Sequence, residues 1–123
     1  MIGYTSLGTN DLKTSAAFYD ALLAELKAGR VMEFDDFIVW ATQTGSPAFS
    51  IHIPFDGQPA SVGNGVMVAL SASSRAEVDA VHRKAVSLGA ADEGKPGQRA
   101  ENGFYAAYFR DPDGNKLNVH HMG

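Results

Sequence analysis

The chain has 123 residues, 45% hydrophobic and 20% charged, with ten basic against fourteen acidic residues and a formal charge of −4. This describes one globular domain able to bury roughly two thirds of its unfolded surface, and Lys and Arg are too scattered to form a nucleic-acid stripe. The absence of cysteine excludes disulfides, thiolate nucleophiles and sulfur-ligated metals. A cytoplasmic location is the simplest expectation. No apolar run is long enough for a membrane span, so no membrane partner is expected.

In chain order, Ile2 to Gly8 reads as a strand. Thr9-Asn10-Asp11 then supplies capping oxygens for a helix in which Leu12, Ala16, Tyr19, Leu22, Leu23 and Leu26 recur at helical spacing. Gly29 is expected to stop that helix, and three strands follow: Arg30 to Phe34, Phe37 to Thr42 and Ala48 to Ile53. Residues 55–65 hold Gly and Pro without periodicity and suit a linker. Val66 to Leu70 is the next strand. Ser74 with Glu77 opens a helix carrying Val78, Val81, Ala85 and Leu88, closed by Gly89. His82 lies at the edge of that stripe and is expected at the surface or its boundary. A short strand near Asp92 to Gly94 precedes Gly94-Lys95-Pro96-Gly97-Gln98-Arg99, which reads as a mobile loop whose Lys95 or Arg99 could meet an anionic ligand.

Phe104 to Arg110 and Lys116 to His120 form a hairpin around Asp111-Pro112-Asp113-Gly114: Pro112 presets φ, Asp111 caps the turn, and Gly114 takes a left-handed conformation. The elements make two βαβββ units, module one about 1–54 and module two about 66–123, within a single domain 1–123. Tyr4 falls opposite Met67, an offset of 63 residues. Each half alone would leave a sheet face bare. The fold class is therefore α+β. Trp40, Phe49, Phe104, Tyr105, Tyr108 and Phe109 are mostly core by alternation, with some left over to wall a cleft.

On this plan sit Asn10-Asp11-Leu12, Ser15 and Phe18-Tyr19, and later Arg110-Asp111-Pro112-Asp113-Gly114-Asn115. In these the chain resembles the vicinal oxygen chelate superfamily, which holds glyoxalases, bleomycin and fosfomycin resistance proteins and extradiol dioxygenases. The resemblance implies mixed sheets that curl into a half-open barrel around a cleft, a homodimer, and metal ligands on the first and last strands of each module. The matched positions here are Tyr4, Ser50, Met67 and Asn118, none of which suits a divalent metal, and no glutamate base stands among them.

His52 and His120 lie two residues beyond Ser50 and Asn118 and share their strand faces, so they are the candidate acid–base pair. With a further ligand they could instead hold a metal, and polar residues at a barrel rim also serve as plain hydrogen-bonding groups. His121 points the other way, toward solvent. Tyr4, Trp40, Ser50, Met67 and Asn118 are the candidate ligand-binding residues. The function expected is binding of a small organic molecule in the cleft without a confidently assigned cofactor. The alternative is a metal-dependent glyoxalase-type lyase or isomerase acting on a small carbonyl or thiol-adduct substrate. Dioxygenase chemistry is disfavoured, since iron would need two histidines and a carboxylate at the matched positions.

Overall fold

The computed structural model describes residues 1–123. β1 (Tyr4–Gly8) leads into α1 (Leu12–Ala24), and β2 (Gly29–Glu33), β3 (Phe37–Ala41) and β4 (Ala48–His52) complete the first module. β5 (Val68–Ser71), α2 (Arg75–Ser87), β6 (Ala91–Gln98), β7 (Tyr105–Arg110) and β8 (Lys116–His121) repeat the plan. The strand orders are β1-β4-β3-β2 and β5-β8-β7-β6, with the first and last strands of each module parallel and the rest antiparallel. The two sheets remain separate and do not close into a barrel. The two helices, each of thirteen residues, start 63 positions apart, which is the offset read between Tyr4 and Met67.

Both helix starts follow from local chemistry. The Asp11 carboxylate accepts the backbone N–H of Thr14 at 3.0 Å and its hydroxyl at 2.8 Å, holding the carboxyl below the usual range, chiefly through that backbone bond. Ser74 accepts from the Glu77 N–H at 3.1 Å, while Glu77 reaches back to the Ser73 N–H at 3.0 Å. At the end of α2 Gly89 takes φ +93°, as expected. At the end of α1 the left-handed residue is Lys27, at φ 63°, and Gly29 opens β2 instead of stopping the helix. The reason lies in the last turn: the Ala28 N–H reaches the Leu23 carbonyl, as Ala90 N–H reaches Ala85, so the reversal must come one residue before Ala28.

α1 packs on the first sheet, α2 on the second, and the helices meet each other. One core therefore joins Leu7, Ile38, Trp40, Phe49 and Ile51 of the first sheet to Ala107, Phe109, Leu117 and Val119 of the second, with Tyr19, Leu22, Val78 and Val81 from the helices. Because strand side chains alternate, the residues between them form a helix-free face on each sheet. On the first this face carries Tyr4, Ser6, Val39, Ala41, Ala48, Ser50 and His52; on the second, Tyr108, Arg110, Lys116, Asn118 and His120.

Two expectations need correction. The segment 94–98 is not a mobile loop but the end of an eight-residue edge strand, β6, paired with β7 through Gly94, Gly97 and Gln98. Register shifts on either side of Gly94 absorb Pro96, which a central strand could not hold. His82 is buried, with 7% exposure, because its Nε2 meets the Asp92 carboxylate on β6 at 3.1 Å.

Candidate functional site

The matched positions occupy the helix-free faces and strand starts, in different states. Tyr4 is exposed, as is Met67, which lies just before β5 and outside it. Ser50 and Asn118 are buried and committed: the Ser50 hydroxyl donates to the Thr5 carbonyl at 2.9 Å, and the Asn118 side-chain oxygen lies 3.1 Å from Nδ1 of His120. Trp40 belongs to the helix side. Its indole N–H donates to Asp20 at 2.9 Å, and Arg30 holds the same carboxylate, keeping Asp20 below the usual range.

His52 and His120 are repeat equivalents in register. His52 pairs with Gly8 and His120 with Ser71, and these two partners, not the histidines themselves, are again 63 positions apart. Nδ1 of His52 sits 2.6 Å from the Ser6 hydroxyl, while His120 bonds Asn118 and stacks on Phe104 at 5.6 Å. They share no partner. The Gly8 carbonyl beside His52 is bonded by Asn115, at the opposite end of β8 from His120, and the five intervening steps span roughly 17 Å of strand. His52 keeps Nε2 free, as a donor if Ser6 donates to Nδ1 and as an acceptor if it does not. His121 donates from Nδ1 to the Ala72 carbonyl, 3.1 Å away, so it is tied to backbone and not simply solvent-facing.

The donor set does not fit a divalent metal. Tyr4 and Met67 offer no suitable ligand, the Ser50 and Asn118 oxygens are engaged, and no three His, Asp or Glu side chains gather anywhere in the chain.

The helix-free face of the first sheet instead shapes a cavity of about 530 Å³. Tyr4, Met32, Phe37, Val39, Ala41 and Ala48 form its floor and walls, with Gln43, Thr44 and Ser46 of the β3–β4 turn at one end. Met32 reaches it because the register shift between Arg30 and Met32 sets Met32 opposite Val39. A second cavity, about 620 Å³, runs on the helix side between the end of α1, Trp40, Phe49 and β5. A third, about 360 Å³, lies between the turn Gly63–Met67 and the side chains of Arg110 and Lys116. Sequence alternation locates Tyr4, Val39 and Ala48 on one face, but Met32 could be found only through the bulge.

Of the six aromatics expected to divide between core and cleft wall, Tyr108 lies on the helix-free face of the second sheet opposite Asn118, as the antiparallel register requires. Phe104 likewise stacks on His120 instead of entering the core.

No helix is long and apolar enough to cross a membrane. No curated protein matches the sequence. A solved glyoxalase/bleomycin resistance protein from Albidiferax ferrireducens T118 is 36% identical, with a TM-score of 0.91, covering 100% of this chain and 99% of that one. A lactoylglutathione lyase from Agrobacterium tumefaciens is 23% identical (TM-score 0.69; 98% and 92% covered). TnmS3, an antibiotic binding protein from Streptomyces sp. CB03234, is 17% identical (TM-score 0.69; 100% and 96% covered), a likeness of fold alone. Together with a family model that matches residues 1–119, the paired βαβββ modules and the 36% identical relative place this chain in the glyoxalase/bleomycin resistance protein/dioxygenase superfamily.

Proposed function

We propose that the protein binds a small apolar or aromatic organic molecule on the helix-free face of its first sheet, without a metal. The observation that carries this is the 530 Å³ cavity, a size suited to a small ligand, walled by Tyr4, Met32, Phe37 and Val39 with polar side chains confined to one end. Aromatic and thioether side chains give such a wall polarizable contact, and the few hydroxyl and amide groups of Gln43, Thr44 and Ser46 give orientation. His52, which pairs in register with Phe37 of the cavity wall, is with Ser6 the proton-handling group we assign to that face, and His120 is its counterpart on the second sheet.

The faces are open in one chain. Ile2, Tyr4, Met32, Phe34, Val66 and Met67 are all more than a third exposed, and a second copy laid over them would enclose the ligand, making the active form a homodimer.

Titration with 1-naphthalenemethanol tests the proposal. Binding should saturate and should weaken about tenfold or more in Ala41→Phe, whose ring would occupy the cavity. Equal binding by both proteins would overturn the placement; a stoichiometric metal that restores lyase activity would favour the metal-dependent alternative.

A further inference from the structure

The helix-free face of the second sheet carries two cations that nothing in the chain neutralises. The Arg99 guanidinium lies 5.5 Å from the Tyr108 ring centroid, and the Lys116 ammonium also lies 5.5 Å from it. They are therefore no more than twice that distance apart. Each gains modestly from the ring, and each repels the other. Neither makes an ion pair, whereas Arg110 beside them on the face is held by Glu93 and by the Gly114 carbonyl.

Two glycines of β6 leave room for the Arg99 guanidinium. A Cβ at Gly97 would stand 2.8 Å from its Nη1, and one at Gly94 would stand 3.3 Å from its Nη2 and 3.0 Å from Cδ1 of Tyr108. Its Nη2 also donates to the Lys95 carbonyl at 2.6 Å. The two bulges of β6, with glycine at both close approaches, thus seat a guanidinium over an aromatic ring and leave its Nε and Nη1 without a protein acceptor. Lys116 also borders the 360 Å³ cavity under the turn Gly63–Met67, so the space beside its ammonium is open to a ligand.

We infer that Arg99, Lys116 and Tyr108 form an anion site on the helix-free face of the second sheet, apart from the first-sheet cavity, which takes the carboxylate, sulfonate or phosphate group of an aromatic or amphipathic compound. A carboxylate there would accept from the free edge of the Arg99 fork, with the Lys116 ammonium adding attraction at longer range. The inference rests on the proposal that a helix-free face of this fold holds a small organic molecule, extends it from the first sheet to the second, and names the charge of what binds there.

The test compares two probes of matched ring, 1-naphthoate and 1-naphthalenemethanol, titrated calorimetrically against the full chain. Arg99→Gln combined with Lys116→Gln should weaken 1-naphthoate about tenfold or more while leaving the alcohol within about twofold. Gly97→Ala keeps every charge but displaces the guanidinium, and should weaken 1-naphthoate selectively as well. Arg83→Gln, which removes an exposed charge from α2, should change neither probe. Should both probes bind and the face variants weaken them equally or not at all, the subsite is overturned while the binding proposal stands. If neither probe binds the unaltered protein, the binding proposal fails and the subsite with it. Circular dichroism of each variant separates lost binding from lost folding, and Gly97→Ala supplies a second decision should the double variant fail to fold.

Discussion

The Tyr19 hydroxyl donates to the Asp111 carboxylate at 2.6 Å across 92 positions of sequence, and so ties the first helix to the closing turn of the second module. The carboxylate is fully used. Its other oxygen accepts the backbone N–H groups of Asp113 and Asn115, and the Asn115 amide that bonds it also reaches the Gly8 carbonyl. One buried carboxylate thus sets the turn and the relation between modules.

Burial pushes the Asp111 carboxyl up and the Tyr19 phenol well up. Tyr19→Phe removes one donor from a buried acceptor and should cost about 2 kcal/mol in urea unfolding at neutral pH. The alkaline arm gives an independent check. A phenol whose folded value is raised above the unfolded value of 10 contributes stability that is complete below pH 10 and is lost as pH rises beyond it. The gap between wild type and Tyr19→Phe should therefore narrow above pH 10, and a constant gap would show that Tyr19 ionises alike in both states.

Lys27 takes the left-handed conformation that Gly89 takes at the equivalent helix end. A side chain pays roughly 1–2 kcal/mol there, partly offset by the greater freedom of an unfolded glycine. Lys27→Gly should accordingly stabilise the protein by about 1 kcal/mol, read as a higher urea midpoint at unchanged slope.

Asp92 ties the bulged end of β6 to α2. Its Oδ1 accepts the Gly94 N–H at 2.9 Å and meets His82 at 3.1 Å, and these bonds, the Gly94 one foremost, hold the carboxyl below its ordinary 3.8. A depressed carboxyl contributes stability present above its unfolded value and lost as pH falls through the folded one. Asp92→Asn should flatten the stability profile below pH 4 and speed amide exchange along β6 while leaving β1 and β4 unchanged; unchanged exchange in β6 would rule out this role.

Much of this was legible locally. The cap residues Asp11 and Ser74 and the turn glycine Gly114 each depend on neighbours within a few positions and stand as expected, and the 63-residue offset followed from aligning the strands that precede the two helices so capped. The second half of β6 was not legible beyond the short strand expected near Asp92 to Gly94, because Gly94-Lys95-Pro96-Gly97 has no strand propensity and becomes strand only through the edge that β7 offers. Lys27 was hidden for a related reason: Gly29 looks like the better stop, and only the bond from Ala28 to Leu23 sets the position. His82 reads as a boundary residue until Asp92 is brought to it from ten positions away. At the candidate site the faces of Tyr4, Ser50, Asn118 and the histidines followed from alternation, but the Met32 wall and the Arg99 seat arise from bulges that leave no mark in a periodic pattern.

Metal binding offers a further check. Protein incubated with zinc, nickel, manganese or ferrous iron and then desalted should retain only substoichiometric metal by elemental mass spectrometry, because no three of its His, Asp and Glu side chains converge. One tightly held ion per chain, lost in a His52→Ala, His120→Ala double variant, would instead show a ligand set completed between copies.

The most direct measurement is a map of amide chemical shifts in the nitrogen-15-labelled protein as 1-naphthalenemethanol is added. Saturable shifts concentrated at Tyr4, Met32, Phe37, Val39, Ala41 and Ala48 are the predicted result. An absence of saturable shifts, or shifts confined to the helix-side cavity around Leu23, Trp40 and Leu70, would contradict the claim that the helix-free face of the first sheet is the binding surface.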